Sequence, residues 1–375
     1  MMRITTLPRS VWQKKVEEQG MTYHTIDEEI YWDESAYYSF TSSEIDELES
    51  ASEELQKICI EATEHIITNR LYEKLQIPQL AIPLIERSWE NDDPAIIGRF
   101  DFAYDGNSPP KMLEYNADTP TALLEASVVQ WFWLKDRFPD ADQFNSIHER
   151  LIDAWSDLRP AIGKKLYFSC VKDAPEDLGN LEYLCDTALQ AGLNTELLFI
   201  EDVGYDSVSK RFVDNNNFII EHLFKLYPWE WILRESFSQY IDSSAVRFIE
   251  PAWKMILSNK AILPILWDLN PNHPNLLEAS FDPKHFSDNF VSKPFLSREG
   301  CNIKLHRNGA VTEYDGNYTD SGTVFQKLKT LPCFDGNYPV IGSWIIQGES
   351  AGIGIREDRS EVTTDTSRFV PHIFH

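Results

Sequence analysis

Four polar residues, Arg99, Asp101, Glu114 and Asn116, stand where two short strands could present them together. In an extended chain, side chains alternate between faces. Arg99 and Asp101 therefore share one face, and Phe100, Phe102 and Tyr104 take the other. In the next apolar–polar stretch Glu114 and Asn116 share a face opposite Leu113 and Tyr115. The intervening Asp105-Gly-Asn-Ser-Pro-Pro110 has turn chemistry, so the two stretches read as a hairpin. Paired, they bring one guanidinium, two carboxylates and one amide onto a small patch. Oxygen donors of this kind suit a hard cation, and the arginine beside them suits an anion. A hairpin whose charges are merely solvated is the plainer alternative.

The chain then runs into Thr119-Pro-Thr-Ala-Leu-Leu-Glu125, which reads as a helix start with Thr119 as cap and Pro120 at the first helical position. The third helical position is Ala122, so no capping box forms, and the free N–H groups would attract an anion. Val128, Val129, Trp131, Phe132 and Trp133 are expected in the core of that helix.

Other elements must position this patch. Residues 43–69 carry Ile45, Leu48, Leu55, Ile58, Cys59, Ala62 and Ile66 near helical spacing, which predicts a long amphipathic helix. Residues 165–170, 180–190 and 195–200 read as strand, helix and strand with parallel pairing. The acidic loop 172–177, which includes Glu176 and Asp177, falls at the end of the first of these strands, where ligands often bind. The aromatic run 224–232 is expected in the core. Lys260 precedes an apolar helix, Lys293 ends a strand, and residues 297–302 form a loop around Gly300. An inward lysine under a glycine loop can cover phosphates without a Walker motif, and the G-x-x-x-x-G-K-[ST] pattern is absent. Arg356 is a candidate second anion clamp.

With 375 residues and 42% hydrophobic content, the chain has ample material for one large domain or two to three lobes. The formal net charge of −26 argues against general nucleic-acid binding, which needs a basic face. The same acidity could attract a cationic substrate, although solubility explains it more simply. The five cysteines show no zinc spacing and suggest no disulfide scaffold. No signal-peptide core or membrane-length apolar run is visible, so a cytoplasmic location is expected.

The segments 99–102, 113–125, 259–267 and 291–302 together resemble the synthetase domain of the glutathionylspermidine synthetase family, in that family's order and across nearly the whole chain. The likeness is greatest to its stand-alone acid–amine ligase branch, without the amidase domain of the bifunctional members. It implies a mixed α/β, ATP-grasp-like synthetase fold with an inserted βαβ substrate subdomain. Approximate sub-lobes fall at 1–160 for the metal and phosphate hairpin, 161–250 for substrate and 251–375 for ATP. The implied activity is ATP-dependent joining of a small-molecule or peptide carboxylate to an amine through an acyl phosphate. By the resemblance, Asp101, Glu114 and Asn116 hold Mg²⁺, and Arg99 contacts ATP and acid and stabilises the transferring phosphoryl group. Phe100, Lys260, Lys293, Gly300, Cys301, Gln326, Lys327, Leu328, Lys329, Val340, Glu361, Val362 and Thr363 fall at nucleotide-side positions. Arg356 matches an active-site arginine, and Thr119, Thr121, Glu176 and Asp177 fall at substrate positions.

Two departures bear on substrate. Trp231 stands where the family uses a threonine for glutathione, and Arg368 where it has an acid near the polyamine. Arg368 is expected to repel a cationic amine. Ligase chemistry is expected to persist with substrates other than glutathione and spermidine. A non-catalytic nucleotide sensor that keeps the fold is the alternative. A glycoside hydrolase built on the paired carboxylates would leave Arg99, Lys260 and Lys293 without a role.

Overall fold

The computed structural model describes residues 1–318 and 321–375. The expected hairpin is there, as strands Ile97–Ala103 and Lys111–Asn116. They form one side of a five-stranded sheet completed by Tyr338–Ile346, Glu349–Asp358 and Arg368–Val370, with every neighbouring pair antiparallel. This sheet takes two strands from the 1–160 stretch and three from the 251–375 stretch.

The long helix, Ser42–Thr68, is closed at its start by Thr41 and Glu44 in a capping box. All seven apolar positions of its stripe are buried. It packs across the central sheet, where Ser52 Oγ meets Ser343 Oγ at 2.7 Å. Tyr104 and Tyr115 donate their hydroxyls to Glu47 and Gln56 on the same helix. The apolar face of the hairpin, with Phe100 stacked on Tyr115 at 3.9 Å between ring centroids, thus anchors the strands and leaves the polar face free.

The βαβ unit is a four-stranded parallel sheet in the order Arg247–Ile249, His222–Lys225, Leu166–Ser169, Thr195–Leu197. Its helix begins earlier than the sequence suggests, at Pro175, so Glu176 and Asp177 lie in a first helical turn and not in a loop. Proline at the first turn needs no N–H partner, which favours this start. Trp229 is buried as expected. A buried ion pair fastens this unit to the hairpin exit. Lys225 Nζ binds Asp118 Oδ1, and Asp118 Oδ2 accepts the Trp229 N–H at 2.8 Å. A third, antiparallel sheet orders Ala279–Ser280, Thr323–Lys327, Phe290–Pro294, Lys304–Arg307 and Ala310–Glu313. No helix among the described residues is long and apolar enough to cross a membrane.

The helix after the hairpin departs from expectation. Ala122 adopts a left-handed φ of +67°, so the first helical turn begins at Leu123 and not at Pro120. Thr119 is not its cap. Asn180 Oδ1, from the helix Pro175–Gln190, accepts the N–H groups of Leu123 and Leu124 at 2.7 and 3.3 Å. The expected anion position is therefore filled by a side-chain amide. The helix carries a π segment at Glu125–Val129 before Gln130–Arg137. Val129 and Trp133 are buried, but Phe132 is 49% exposed.

Candidate active site

The register of the hairpin sets Arg99 opposite Asn116 and Asp101 opposite Glu114. All four polar groups therefore meet on one face. Arg99 donates to both oxygens of Asp101, Nε to Oδ1 at 2.8 Å and Nη2 to Oδ2 at 3.1 Å. The amide nitrogen of Asn116 donates to Asp101 Oδ2 at 3.1 Å and to Glu114 Oε1 at 3.4 Å. Gly342, on the neighbouring strand, leaves room for Arg99, since a Cβ there would fall 2.8 Å from Arg99 Cδ. A bulge follows Asp101, with the register passing from Asp101–Glu114 to Phe102–Met112. The extra residue is Leu113, which lines the cleft beside Glu114 and not the opposite face.

Two lysines approach from the third sheet and its neighbouring helix. Lys260 lies just before the apolar helix Ile262–Leu269, as expected, and its Nζ is 3.2 Å from Glu114 Oε2. It also donates to the carbonyl of Ser297, the first residue of the glycine loop. Lys293 is buried and donates to the carbonyl of Leu113 at 2.9 Å and to Gln326 Oε1 at 2.8 Å. Burial would lift the Glu114 carboxyl, but Lys260, Lys293 and Arg99 outweigh it and hold it at about 2. Burial lowers the Lys293 ammonium to about 8, and Lys260 adds to the effect against the opposing pull of Glu114 and Asp101.

These groups line one wall of a cleft with about 790 Å³ of open space. Gly300, Gln326, Lys327, Leu328, Lys329, Val340, Glu361, Val362 and Thr363 line it too, with Val291, Ile303 and Leu305 packed with Leu328 and Val362 as an apolar slot and Leu331 against Val340. Gly300, at φ +70°, lies against the far wall. A Cβ there would come within 2.5 Å of Val362 and 2.6 Å of the Thr363 carbonyl. Glu361 is held by Arg307 at 2.9 Å. Two expected nucleotide-side residues do not face the cleft. The Phe100 ring is in the core, because alternation sends it opposite Asp101. Cys301 turns toward Gly316, whose Cβ position lies 2.6 Å from Cys301 Cβ.

A second, smaller cavity adjoins the first and shares Asp101, Val340 and Thr363 with it. Arg99 and Arg356 both line it, beside Trp344 and Phe369. Arg356 is held by the carbonyl of Thr364, and its buried Nε has no partner. Thr121 contributes its carbonyl, which accepts from Arg99 at 2.6 Å.

Arg298, absent from the sequence reading, is a further member. It donates to Thr119 Oγ1 at 2.8 Å and pairs with Glu230 at 3.1 Å, with its guanidinium 5.8 Å from the Trp231 ring centre. It thereby ties the glycine loop to the hairpin exit. Its position two residues before Gly300 was the available signal. Asp177 faces this segment. Burial, then Glu176, lifts its carboxyl to about 6, against the pull of Arg298. Arg368 does not stand free to repel an amine, because Asp33 and Glu357 neutralise it at 3.1 and 2.9 Å.

Among the described residues no three His, Cys, Asp or Glu side chains form a closed metal cage. Two carboxylates and an amide meet on the open face, residue types of the sort that Mg²⁺ takes together with water and phosphate oxygens, with the amide nitrogen of Asn116 turned to both carboxylates. Lys293, by contrast, is buried with its hydrogen bonds going to neutral acceptors.

The mixed α/β layers are those of an ATP-grasp-like synthetase fold. The solved glutathione synthetase-like effector of Globodera pallida shares that fold, with a TM-score of 0.61 over 99% of this chain and 98% of its own, at 9% identity. The model of the glutathionylspermidine synthase preATP-grasp family matches residues 3–375, and the chain belongs to that family. A Haemophilus influenzae protein named "Putative acid–amine ligase" is 44% identical, with both chains covered in full. Trypanothione synthetase of Crithidia fasciculata is 28% identical over 96% of this chain, and the bifunctional glutathionylspermidine synthetase/amidase of Escherichia coli 27% over 90%. The chain spans 57% and 59% of the lengths of those two relatives.

Proposed function

We propose that this chain is an ATP- and Mg²⁺-dependent ligase that joins a carboxylate to an amine through an acyl phosphate. The observation that carries this reading is the meeting of Asp101 and Glu114 with Lys260 and Lys293 in one cleft, with Arg99 and Asn116 hydrogen-bonded to those carboxylates. Asp101, Glu114 and Asn116 would hold the metal, which supplies charge neutralisation at the phosphates. Lys260 and Lys293 would bind phosphate oxygens, and the apolar slot beside Lys327–Lys329 suits a planar base. Arg99 and Arg356 line the smaller cavity, where they would orient the carboxylate and stabilise negative charge as the phosphoryl group moves. Thr119, Thr121, Glu176 and Asp177 are proposed for the substrate side, with Arg298 linking that side to the loop. The named activities of the relatives make glutathione and spermidine one pair to test, and the Trp231 position argues for testing others.

The test is ADP release with Mg²⁺-ATP against acids crossed with amines, including glutathione with spermidine and hydroxylamine as a general acceptor. Turnover that needs one acid and one amine is the expected result. ATP binding seen by calorimetry without stimulated turnover favours the sensor reading, and normal ATP hydrolysis by an Asp101→Asn, Glu114→Gln double variant overturns the proposed site.

A further inference from the structure

One buried carboxyl next to this site has no part in nucleotide or metal binding. Glu125 is fully buried at the first position of the π segment that interrupts the helix after Leu123. A π turn inserts a residue at a cost to helix regularity and recurs at functional sites. Tyr31, itself buried, donates its hydroxyl to Glu125 Oε1 at 2.8 Å. The other oxygen, Oε2, is buried without a partner, as are the hydroxyl of Tyr23 and Nε of Arg356. A buried polar atom left unpaired costs about 1–3 kcal/mol, so three in one neighbourhood ask for a reason.

The groups facing Glu125 come from three directions. Tyr31 and Tyr23 approach from the segment between strands Met2–Thr5 and Ala36–Phe40, Glu176 from the helix Pro175–Gln190, and Arg356 from the central sheet. Burial and then Glu176 lift the Glu125 carboxyl to about 7, against Tyr31 and Arg356. Glu176 is half-buried and also lies near Glu299, which lines the larger cleft. Glu176 is thus the more exposed member of the pair, on the side of Glu299, and Glu125 sits behind it in the field of Arg356, which lines the smaller cavity.

We propose that Glu125, with Tyr31 as its hydrogen-bond donor and Glu176 at its mouth, is the proton acceptor that neutralises the attacking amine. This rests on the ligase reading of the site. An alkyl ammonium cannot attack while its nitrogen is protonated. It gives one proton to Glu176, which passes it to the Glu125 carboxylate. The freed lone pair forms the C–N bond, the carbonyl–oxygen bond to phosphate breaks, and phosphate leaves with that electron pair. The second nitrogen proton leaves with the phosphate. The Glu125 carboxyl, raised to about 7 by burial and the neighbouring Glu176 charge, can hold that proton near neutral pH. Because the stored proton is held behind Glu176, Glu125 acts as a positioning and proton-storing residue and Glu176 touches the amine.

Hydroxylamine separates this role from a structural one, since it is already unprotonated near neutral pH. With the acid that supports turnover, Glu125→Gln should lose about 100-fold or more in kcat with an alkyl amine, and only a few-fold with hydroxylamine. Tyr31→Phe should shift the pH profile of the alkyl-amine reaction with little change in the hydroxylamine reaction. Equal losses with both nucleophiles, or no loss with either, overturn the proposal while leaving the ligase reading intact. A parent enzyme that uses no acid–amine pair overturns both. A second arm needs no substrate. The Glu125 carboxyl is raised in the folded state, so the folded protein binds the extra proton between the ordinary value and about 7, and stability falls as pH rises through that window. The parent should show this fall in denaturant midpoint more steeply than Glu125→Gln. Identical slopes would mean that Glu125 does not hold the proton.

Discussion

Lys260 meets Glu114 at 3.2 Å, whereas Lys293, in the same cleft, touches only a backbone carbonyl and the amide oxygen of Gln326. One lysine is matched by a carboxylate and the other is held by neutral acceptors. Burial lowers the ammonium of the second to about 8. ATP affinity should therefore weaken as pH rises through about 8, when the uncharged amine replaces the ammonium. Calorimetric titration of Mg²⁺-ATP between pH 6.5 and 9 checks this, with the values chosen about the Lys293 midpoint. Lys293→Gln should bind more weakly at neutral pH and lose the pH dependence. An unchanged slope in that variant would assign the titration elsewhere.

Removal of the metal, or of its carboxylates, should abolish turnover without unfolding the chain. Asp101→Asn and Glu114→Gln should each lower kcat by about 100-fold or more, the scale of a lost electrostatic contact in the transition state. Chelation should stop ADP release, and Mg²⁺ should restore it. The Glu114 carboxyl is held low at about 2, so its contribution to stability is present above its ordinary value and lost as pH falls toward 2. Glu114→Gln should accordingly flatten acid denaturation in that window, as read by circular dichroism.

Asp118 carries a structural load in the middle of the motif. It pairs with the buried Lys225 and accepts the Trp229 N–H, so Asp118→Ala strands a charge and a donor. A loss of about 3–5 kcal/mol in urea unfolding is expected. The Asp118→Leu, Lys225→Met double variant should recover part of that loss. A double variant as unstable as the single would place the cost in the Trp229 N–H and not in the stranded lysine.

Asn180 closes the helix start at Leu123 from another element. Asn180→Ala should destabilise by about 1 kcal/mol, as a lost cap does, and speed amide exchange at Leu123 and Leu124. Unchanged exchange at those two amides would mean that water replaces the cap.

The polar face of the hairpin was legible because strand alternation is strict, and Arg99, Asp101, Glu114 and Asn116 obey it. Leu113 broke the rule because a bulge adds one residue, and nothing in its neighbours announces the bulge. The long helix was legible from its stripe and from Thr41 and Glu44. The helix after the hairpin was misplaced by three residues. Thr119 and Pro120 carry strong start signals, but Ala122 turns left-handed, and the side chain that satisfies the first N–H groups lies 57 positions away. Local rules cannot see such a partner. The same distance hid the neutralisation of Arg368 by Asp33, 335 positions earlier. The Phe100 ring lies in the core and Cys301 does not line the cleft, although both sit in segments that reach it, since segment matching assigns neighbourhood before it assigns direction.

Asp101, Val340 and Thr363 stand between the larger cleft and the smaller cavity and belong to both. A party wall of this kind divides labour. On the proposed reading, the nucleotide falls on one side and the carboxylate on the other, and among the described residues Asp101 is the one carboxylate that lines both rooms. Trp231 lies outside both, against a separate hollow with Glu230 and Tyr318. A change there redecorates neither room and leaves the party wall as it stands.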